Sequence, residues 1–517
     1  MFLMPTYPYL TQVVHKAARA RPAEPCLIYQ DRRTGNARFA ERVARLAGAF
    51  GGIGVGAGER VALVALNSDR LVESLFATFW AGGVACPLNV RWNVEELAFA
   101  LNDCGAAVLL VDDVHAPLAA ELRDRVPTLR ACVHMGDGAA PDGLLAYEDL
   151  VELGPVREDA GRSGDDPAYL LYTGGTTGSP KGVLLSHANL VAASTAMLAA
   201  GCGTGERYLH APPLFHVAGV QVMTAHFLGG QGPQVIIPAF EPRALMAAIQ
   251  EHRVTDVMLV PTMLQMVLGH PDRAAYRLDS IEQIFYGAAP MTQALLRAAM
   301  AAMPSVGFVQ GYGMTETALT IMLPAWYHTE EGQLRGKMTS IGQPLPTADV
   351  VIRDPQGHEV PRGVVGELTV KSPSVMLGYH ERPELTAQTV RDGWLHSGDG
   401  AYMDDDGFVH LVDRLKDMII TGGENVYSSE VESALTEHAG VAVCAVIGVP
   451  DETWGERVHA VVVPAPGALP TAEELIAHCR ARLAGFKCPR SVQFVEALPV
   501  SAAGKILKTR LRAAHRP

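Results

Sequence analysis

Several things this chain lacks narrow its possible roles. Its eight cysteines form no C-x-x-C pair and follow no regular spacing, which argues against a zinc cluster and against a disulfide framework. Free thiols in a reducing compartment, and hence a cytoplasmic protein, are the expectation. No run approaches the ~20 apolar residues that span a bilayer. Met1–Tyr9 holds two prolines but neither a basic n-region nor a small-residue cleavage site, so it does not read as a leader peptide. Positive charge is also short: 42 Lys and Arg stand against 55 Asp and Glu, a net charge of −13. A protein that grips nucleic acid by its phosphates needs the opposite balance, so no nucleic-acid partner is expected.

What is present is a folded composition, 48 % apolar and 19 % charged. The length of 517 residues suits roughly three domain-sized units with room for a cleft between them. Residues 7–60 read as mainly helical from apolar spacings of three and four. Short apolar runs then alternate with helical stretches: Arg60–Leu66 before Leu71–Ala81, Gln234–Ile237 before Pro242–His252, Asp256–Val260 before Pro261–Leu268. That alternation predicts an α/β fold of mostly parallel sheets. From about Val350 short strands and turns predict a small antiparallel β region, and after Asp413 a compact α+β unit follows. The expected division is 1–412 and 413–517.

Chemistry concentrates in a few segments. Tyr172-Thr-Gly-Gly-Thr-Thr-Gly-Ser-Pro-Lys-Gly182 follows the apolar run Ala168–Leu171. Its glycines let backbone N–H groups turn toward a polyanion, its threonines add donors, and Lys181 adds charge. A Walker A loop is excluded, because Gly182 stands where Ser or Thr is required. The bland alternative is a Gly/Thr turn. In Gln310-Gly-Tyr-Gly-Met-Thr-Glu-Thr317 the ring of Tyr312 suits a purine and Glu316 suits Mg²⁺, or else Glu316 is an ordinary carboxylate at a helix N-terminus. Tyr286-Gly-Ala-Ala-Pro290 is a bend fit for a pocket wall or for plain packing. Trp394-Leu-His-Ser-Gly-Asp399 reads as an aspartate on a tight turn, able to accept both hydroxyls of a ribose, while Asp404–Asp406 read as a solvated turn. Arg414 and Lys416 fall at the proposed boundary, and Lys505 follows a glycine near the end of the chain.

Five motifs in this order, Tyr172–Gly182, Gly311–Thr317, Trp394–Asp399, Asp413–Asn425 and Pro499–Lys505, resemble the acyl-CoA synthetase branch of the adenylate-forming superfamily. That superfamily also holds luciferases and the adenylation domains of peptide synthetases. The resemblance spans essentially the whole chain. It implies that ATP, Mg²⁺ and coenzyme A act with a carboxylic acid. Thr173, Gly174, Gly175, Thr176, Thr177, Gly178 and Lys181 would cradle the β- and γ-phosphates, and Glu316 would bind Mg²⁺. Tyr312 would pack on adenine, with Asp399 and Arg414 on the ribose. Lys505 would reach the α-phosphate and the acid, Lys416 would be the hinge of a mobile C-terminal domain, and Gly422 and Gly423 would border the pantetheine tunnel. His216 would stand at the mouth of the acid pocket. Gly287, Ala288, Ala289, Gly313 and Thr315 are further candidate nucleotide contacts, and Thr177 joins Lys505, Glu316 and His216 as a candidate for catalysis. Gly174 departs from the serine of many relatives, and the family's Thr-Tyr pair is absent around Asn36–Phe39. A homodimer is compatible with this reading.

The acid is expected to be apolar. Residues 216–231 and 287–324 supply Val217, Ala218, Val220, Met223, Ala288, Met314, Leu319, Ile321 and Met322, and the only Lys or Arg among them is Arg297. A second carboxylate would be buried unpaired, and the aspartate that holds an amino group in peptide-synthetase relatives is missing. A medium or long fatty acid is favoured, with an aryl acid of hydroxycinnamate type, or transfer to a carrier protein, as alternatives.

Overall fold

The structure, a computed structural model, describes residues 7–173, 180–230, 232–415, 417–500 and 506–515. Among them the chain builds four sheets. A nine-stranded sheet runs in the order Gln343–Pro344, Ala318–Leu323, Gly307–Met314, Gln283–Gly287, Asp256–Leu259, Tyr208–His210, Gln234–Ile236, Pro25–Tyr29, Arg32–Gly35. Its interior pairs are parallel and its two margins antiparallel. An eight-stranded sheet orders Gly378–Tyr379, Lys181–Ser186, Pro167–Thr173, Val84–Pro87, Arg60–Val64, Val108–Val111, Ala131–His134, Leu145–Ala146. It too is parallel inside with an antiparallel margin.

The apolar runs explain this layout. Val61, Ala62, Leu63 and Val64 are all buried, as strands covered on both faces require. Each strand hands over to a helix with its own start signal. Ser68 Oγ accepts the Leu71 N–H to open Asp69–Ala81, and Glu241 accepts from Arg243 and Ala244 to open Pro242–His252.

Residues 7–60 depart from the helical expectation. Between the helices Gln12–Ala20 and Asn36–Gly52 lies a hairpin, Pro25–Tyr29 with Arg32–Gly35. Buried Leu27, Ile28 and Tyr29 extend the nine-stranded sheet there, so sheet pairing overrides local helical spacing.

The small antiparallel region holds Asp349–Arg353, Gly366–Lys371, Trp394–Met403 and Val409–Arg414. The C-terminal unit is built on the long hairpin Val441–Asp451 and Gly455–Pro464. The helices Ser428–Thr436 and Ala472–Arg480 cover one face through Val431, Leu435, Leu475 and Cys479, and Lys508–Ala513 adds Leu511 on the other. The chain leaves one sheet at Arg414 and enters the next at Ile419. Lys416, expected as the hinge, lies outside the described residues. Among the described residues no helix is long and apolar enough to cross a membrane.

Two buried histidines sit where the nine-stranded sheet meets the helix Val217–Gly229. His210 Nε2 lies 2.5 Å from Gln234 Oε1, and His226 Nε2 lies 3.2 Å from the Gly232 carbonyl. Burial lowers His210 to about 4. Burial, then the neighbouring His210, lowers His226 to about 3. An unfolded histidine titrates near ~6.5, so below that pH the unfolded chain binds more protons than the folded one. The stabilisation is complete above pH ~6.5 and is lost as pH falls toward the folded values, at up to about 1.4 kcal/mol per pH unit for each histidine. Urea midpoints measured from pH 7 to 5 are expected to fall, and His226→Gln should flatten that decline; an unchanged slope would assign it to other groups.

Candidate functional site

The glycine-threonine segment begins on one strand and ends on the next. Pro167–Thr173 and Lys181–Ser186 are antiparallel partners, pairing Thr173 with Lys181 and Tyr172 with Gly182. Gly174, Gly175, Thr176, Thr177 and Gly178 lie outside the described residues. The root of the segment is fixed by Tyr172, whose hydroxyl donates to Asp103 Oδ2 at 2.7 Å. Asp103 Oδ1 accepts in turn from Arg382 at 3.1 Å.

Glu316 stands in the turn that joins the antiparallel strands Gly307–Met314 and Ala318–Leu323, so it is not a helix-end carboxylate. The turn is tight enough to demand glycine: a Cβ on Gly313 would lie 1.9 Å from the Ala318 carbonyl oxygen. Glu316 is buried, and its Oε1 accepts from the Tyr379 hydroxyl at 2.8 Å. Among the described residues no Lys or Arg pairs with it, and no cluster of three or more His, Cys, Asp or Glu assembles for a metal. A buried carboxylate with no Lys or Arg partner among the described residues fits Mg²⁺, which needs one or two carboxylates and completes its shell with phosphate and water. Thr315 lies in the same turn.

A second group is built from three residues on three strands. Tyr312, in Gly307–Met314, donates its hydroxyl to Asp399 Oδ2 at 2.6 Å. Arg414 Nε lies 2.7 Å from Asp399 Oδ1. Asp399 and Arg414 are register partners across neighbouring strands. Asp399 thus sits within the strand Trp394–Met403, a correction to its expected place on a tight turn. The pairing with Arg414 needs an extended backbone, and an irregularity after Gly400 supplies the local bend. Burial, then the Asp399 carboxylate, raises the Tyr312 phenol well above its ordinary value, so Tyr312 is a firm donor. Asp404, read as part of a solvated turn, is held down at about 2: burial opposes this, but Lys337, at 2.7 Å, and the Phe408 N–H outweigh it.

The bend at Gly287–Ala289 runs beside the same hairpin. A Cβ on Gly287 would lie 2.2 Å from the Gly311 carbonyl oxygen, and Ala288 holds φ +60°. A non-glycine residue in that region costs about 1–3 kcal/mol and persists where the surroundings enforce it.

On the acid side, His216 is the N-cap residue of the helix Val217–Gly229, its ring 4.5 Å from that of Phe215. Gln221 on this helix accepts the Leu319 N–H at 2.9 Å, tying the helix to the strand that follows Glu316. The helix does not turn all its expected lining residues that way. Val220 and Met223 join the core under the eight-stranded sheet, whereas Ala218, Val222 and Ala225 pack with Leu319, Met322, Phe285 and Met258. Ile321 faces the small β region instead.

In the C-terminal unit Gly422 and Gly423 hold φ +60° and +86°. They form the two-residue turn between Ile419–Thr421 and Glu424–Val426, a conformation that hairpins of this kind require. Gly422 packs under Trp454, whose carbonyl accepts the Gly422 N–H at 2.8 Å. Lys505 lies outside the described residues. Val500 and Ile506, on either side of its segment, pair with each other.

Spacing alone did not single out Tyr379. Its ring lies 5.5 Å from Lys181 Nζ while its hydroxyl reaches Glu316. The only signal was an aromatic beside a glycine, in Gly378-Tyr-His-Glu-Arg-Pro383.

Residues 14–380 match the AMP-binding enzyme family and residues 430–505 match the AMP-binding enzyme C-terminal domain. A feruloyl-CoA synthase from Amycolatopsis sp is 42 % identical over 481 residues, covering 92 % of this chain and 93 % of that protein. The medium/long-chain-fatty-acid–CoA ligase FadD8 of Mycobacterium tuberculosis is 34 % identical over 513 residues, 96 % of this chain and 88 % of that one. The crystal structure of ATP-bound MatB from Rhodopseudomonas palustris superimposes with a TM-score of 0.88 at 30 % identity, covering 98 % of this chain and 99 % of that one. The chain therefore belongs to the AMP-binding, adenylate-forming enzyme family and is an ATP-binding, AMP-forming acid–CoA ligase.

Proposed function

We propose that the acid is an aryl-substituted one of hydroxycinnamate type, activated as its adenylate and transferred to coenzyme A. The fatty-acid preference expected from apolar lining alone gives way for two reasons. The feruloyl-CoA synthase relative is more similar over nearly the whole chain than the fatty-acid ligase is. The observation that carries the reading is the packed apolar cluster in which Val222, on the helix Val217–Gly229, meets Met258, Phe285, Val309 and Met322. A planar ring needs depth for a few atoms, whereas a long tail would have to displace several well-packed side chains.

Adenylation joins two anions. An oxygen of the acid attacks the α-phosphorus of ATP, the bond to the bridging oxygen breaks, and pyrophosphate leaves. Thr173 and Lys181 hold the β- and γ-phosphates. The Asp399 carboxylate accepts from the ribose hydroxyls, and Tyr312 packs on the base. Glu316 would hold Mg²⁺, which when bound would supply charge neutralisation. His216 lies at the pocket mouth, and Lys505 supplies the cation between carboxylate and α-phosphate. The sulfur of coenzyme A then attacks the acyl carbon and AMP departs, with Gly422 and Gly423 leaving room for the pantetheine arm. That second geometry follows a rotation of residues 413–517 about the Lys416 region.

A pyrophosphate-release screen across ferulate, 4-coumarate, benzoate, octanoate and palmitate, with coenzyme A or a carrier protein as acceptor, tests the reading. Hydroxycinnamates are expected to exceed palmitate in kcat/KM by at least about a hundredfold, the scale of a few kcal/mol of differential pocket contact. Palmitate matching or beating ferulate would restore the fatty-acid alternative.

A further inference from the structure

The short strand Gly378–Tyr379 lies at the margin of the eight-stranded sheet, yet its neighbourhood touches Glu316 and both described flanks of the Gly/Thr segment. The Tyr379 hydroxyl donates to Glu316 Oε1 at 2.8 Å, and the face of the same ring lies 5.5 Å from Lys181 Nζ, within cation–π range. The backbone is stitched to both partners. Met376 N–H donates to the Glu316 carbonyl, Leu377 N–H to the Leu184 carbonyl and His380 N–H to the Gly182 carbonyl, each within 2.9 Å. Three residues on, Arg382 shares Asp103 with Tyr172, so this segment braces the entry as well as the exit of the phosphate-binding segment. Tyr379 itself is buried.

We propose that Tyr379 is a positioning residue that aims the Glu316 carboxylate at a divalent cation and holds Lys181 on its ring until the phosphates arrive. One carboxylate oxygen is occupied by the phenol, which leaves Oε2 for the cation and fixes the plane of the group. Hydrogen-bonded partners of this kind typically change metal affinity by about 10–100-fold when removed. The ring gives Lys181 a weak, uncharged resting place. An acidic partner would compete with the phosphates for the ammonium, and a π face does not. The proposal rests on Glu316 as the cation-holding group.

The test separates the two roles with ATP, AMP and Mg²⁺ as probes on the full chain, without acid or coenzyme A. Tyr379→Phe keeps the ring and removes the hydroxyl. The Mg²⁺ concentration that half-maximally tightens ATP binding, read by calorimetry, is expected to rise about tenfold, with metal-free ATP and AMP affinities within about twofold of wild type. Tyr379→Leu removes the ring as well and should also weaken metal-free ATP binding about threefold, again sparing AMP. Glu316→Gln in parallel isolates the underlying assumption. If it leaves the Mg²⁺ requirement unchanged, the assignment of Glu316 is wrong and the proposal falls with it. If Glu316→Gln shifts the requirement and Tyr379→Phe does not, Glu316 stands and the positioning role is overturned. An equal loss of AMP and ATP binding in Tyr379→Phe marks a purely structural tyrosine and also overturns it.

Discussion

Lys505→Ala is expected to slow acid-dependent pyrophosphate release by about two to three orders of magnitude, the usual cost of removing one group that stabilises transition-state charge. Transfer of the acyl group to coenzyme A from supplied acyl-adenylate should fall by less than about tenfold, because no new anionic pair forms in that step. The chain carries a net charge of −13, and on the proposed reading the described cations nearest the nucleotide already have partners. Lys181 lies on the Tyr379 ring at the phosphate end, and Arg414 is paired with Asp399 on the ribose side. Neither serves the junction of carboxylate and α-phosphate. The flanks of the Lys505 segment belong to the C-terminal unit: Lys508 pairs with Glu432 at 2.7 Å and Arg512 with Asp417 at 2.7 Å. A lysine carried there can be delivered for one half-reaction and withdrawn for the other. Equal losses in the two half-reactions would remove this assignment.

Asp399→Ala has the next largest expected effect. It deletes one acceptor shared by Tyr312 and Arg414 and, on the proposed reading, by two ribose hydroxyls. Hydrogen bonds to a charged acceptor are each worth about 1.5–3 kcal/mol, and their loss is coupled. The KM for ATP in pyrophosphate exchange is expected to rise about a hundredfold while the KM for the acid stays within about twofold. Asp404→Asn is the control. That carboxylate is anchored to Lys337 and Phe408 in a turn, so it should lower thermal stability and leave both KM values alone. A change confined to the acid KM in Asp399→Ala would contradict the ribose assignment.

Much of the architecture was legible because its signals are local. Runs such as Val61–Val64 and Val257–Leu259 are wholly apolar and buried, as strands covered on both faces are. The hairpin Pro25–Gly35 escaped because its pairing partner, Gln234–Ile236, lies some two hundred residues away; nothing nearby distinguishes Cys26–Tyr29 from a buried helical turn. Asp399 was placed on a turn because Ser397-Gly398 resembles one, whereas register with Arg414 keeps the chain extended. For the site, order and spacing of motifs were enough to nominate Glu316, Tyr312, Asp399 and Arg414, which the structure gathers in two linked groups. Tyr379 was invisible for the opposite reason: its importance comes from proximity to residues 63 positions upstream, which no local pattern encodes.

The hairpin Gly307–Leu323 has a practical consequence for anyone wishing to alter the acid range. It carries Tyr312 on one arm and Glu316 at its tip, and its other arm is docked on the acid helix through Gln221 and Leu319. On the proposed reading, repacking Leu319 to admit a bulkier acid would therefore disturb the groups assigned to the nucleotide and lower turnover of ATP. Ala218 and Val222, which face the same cluster from the helix, are the safer places to begin such redesign.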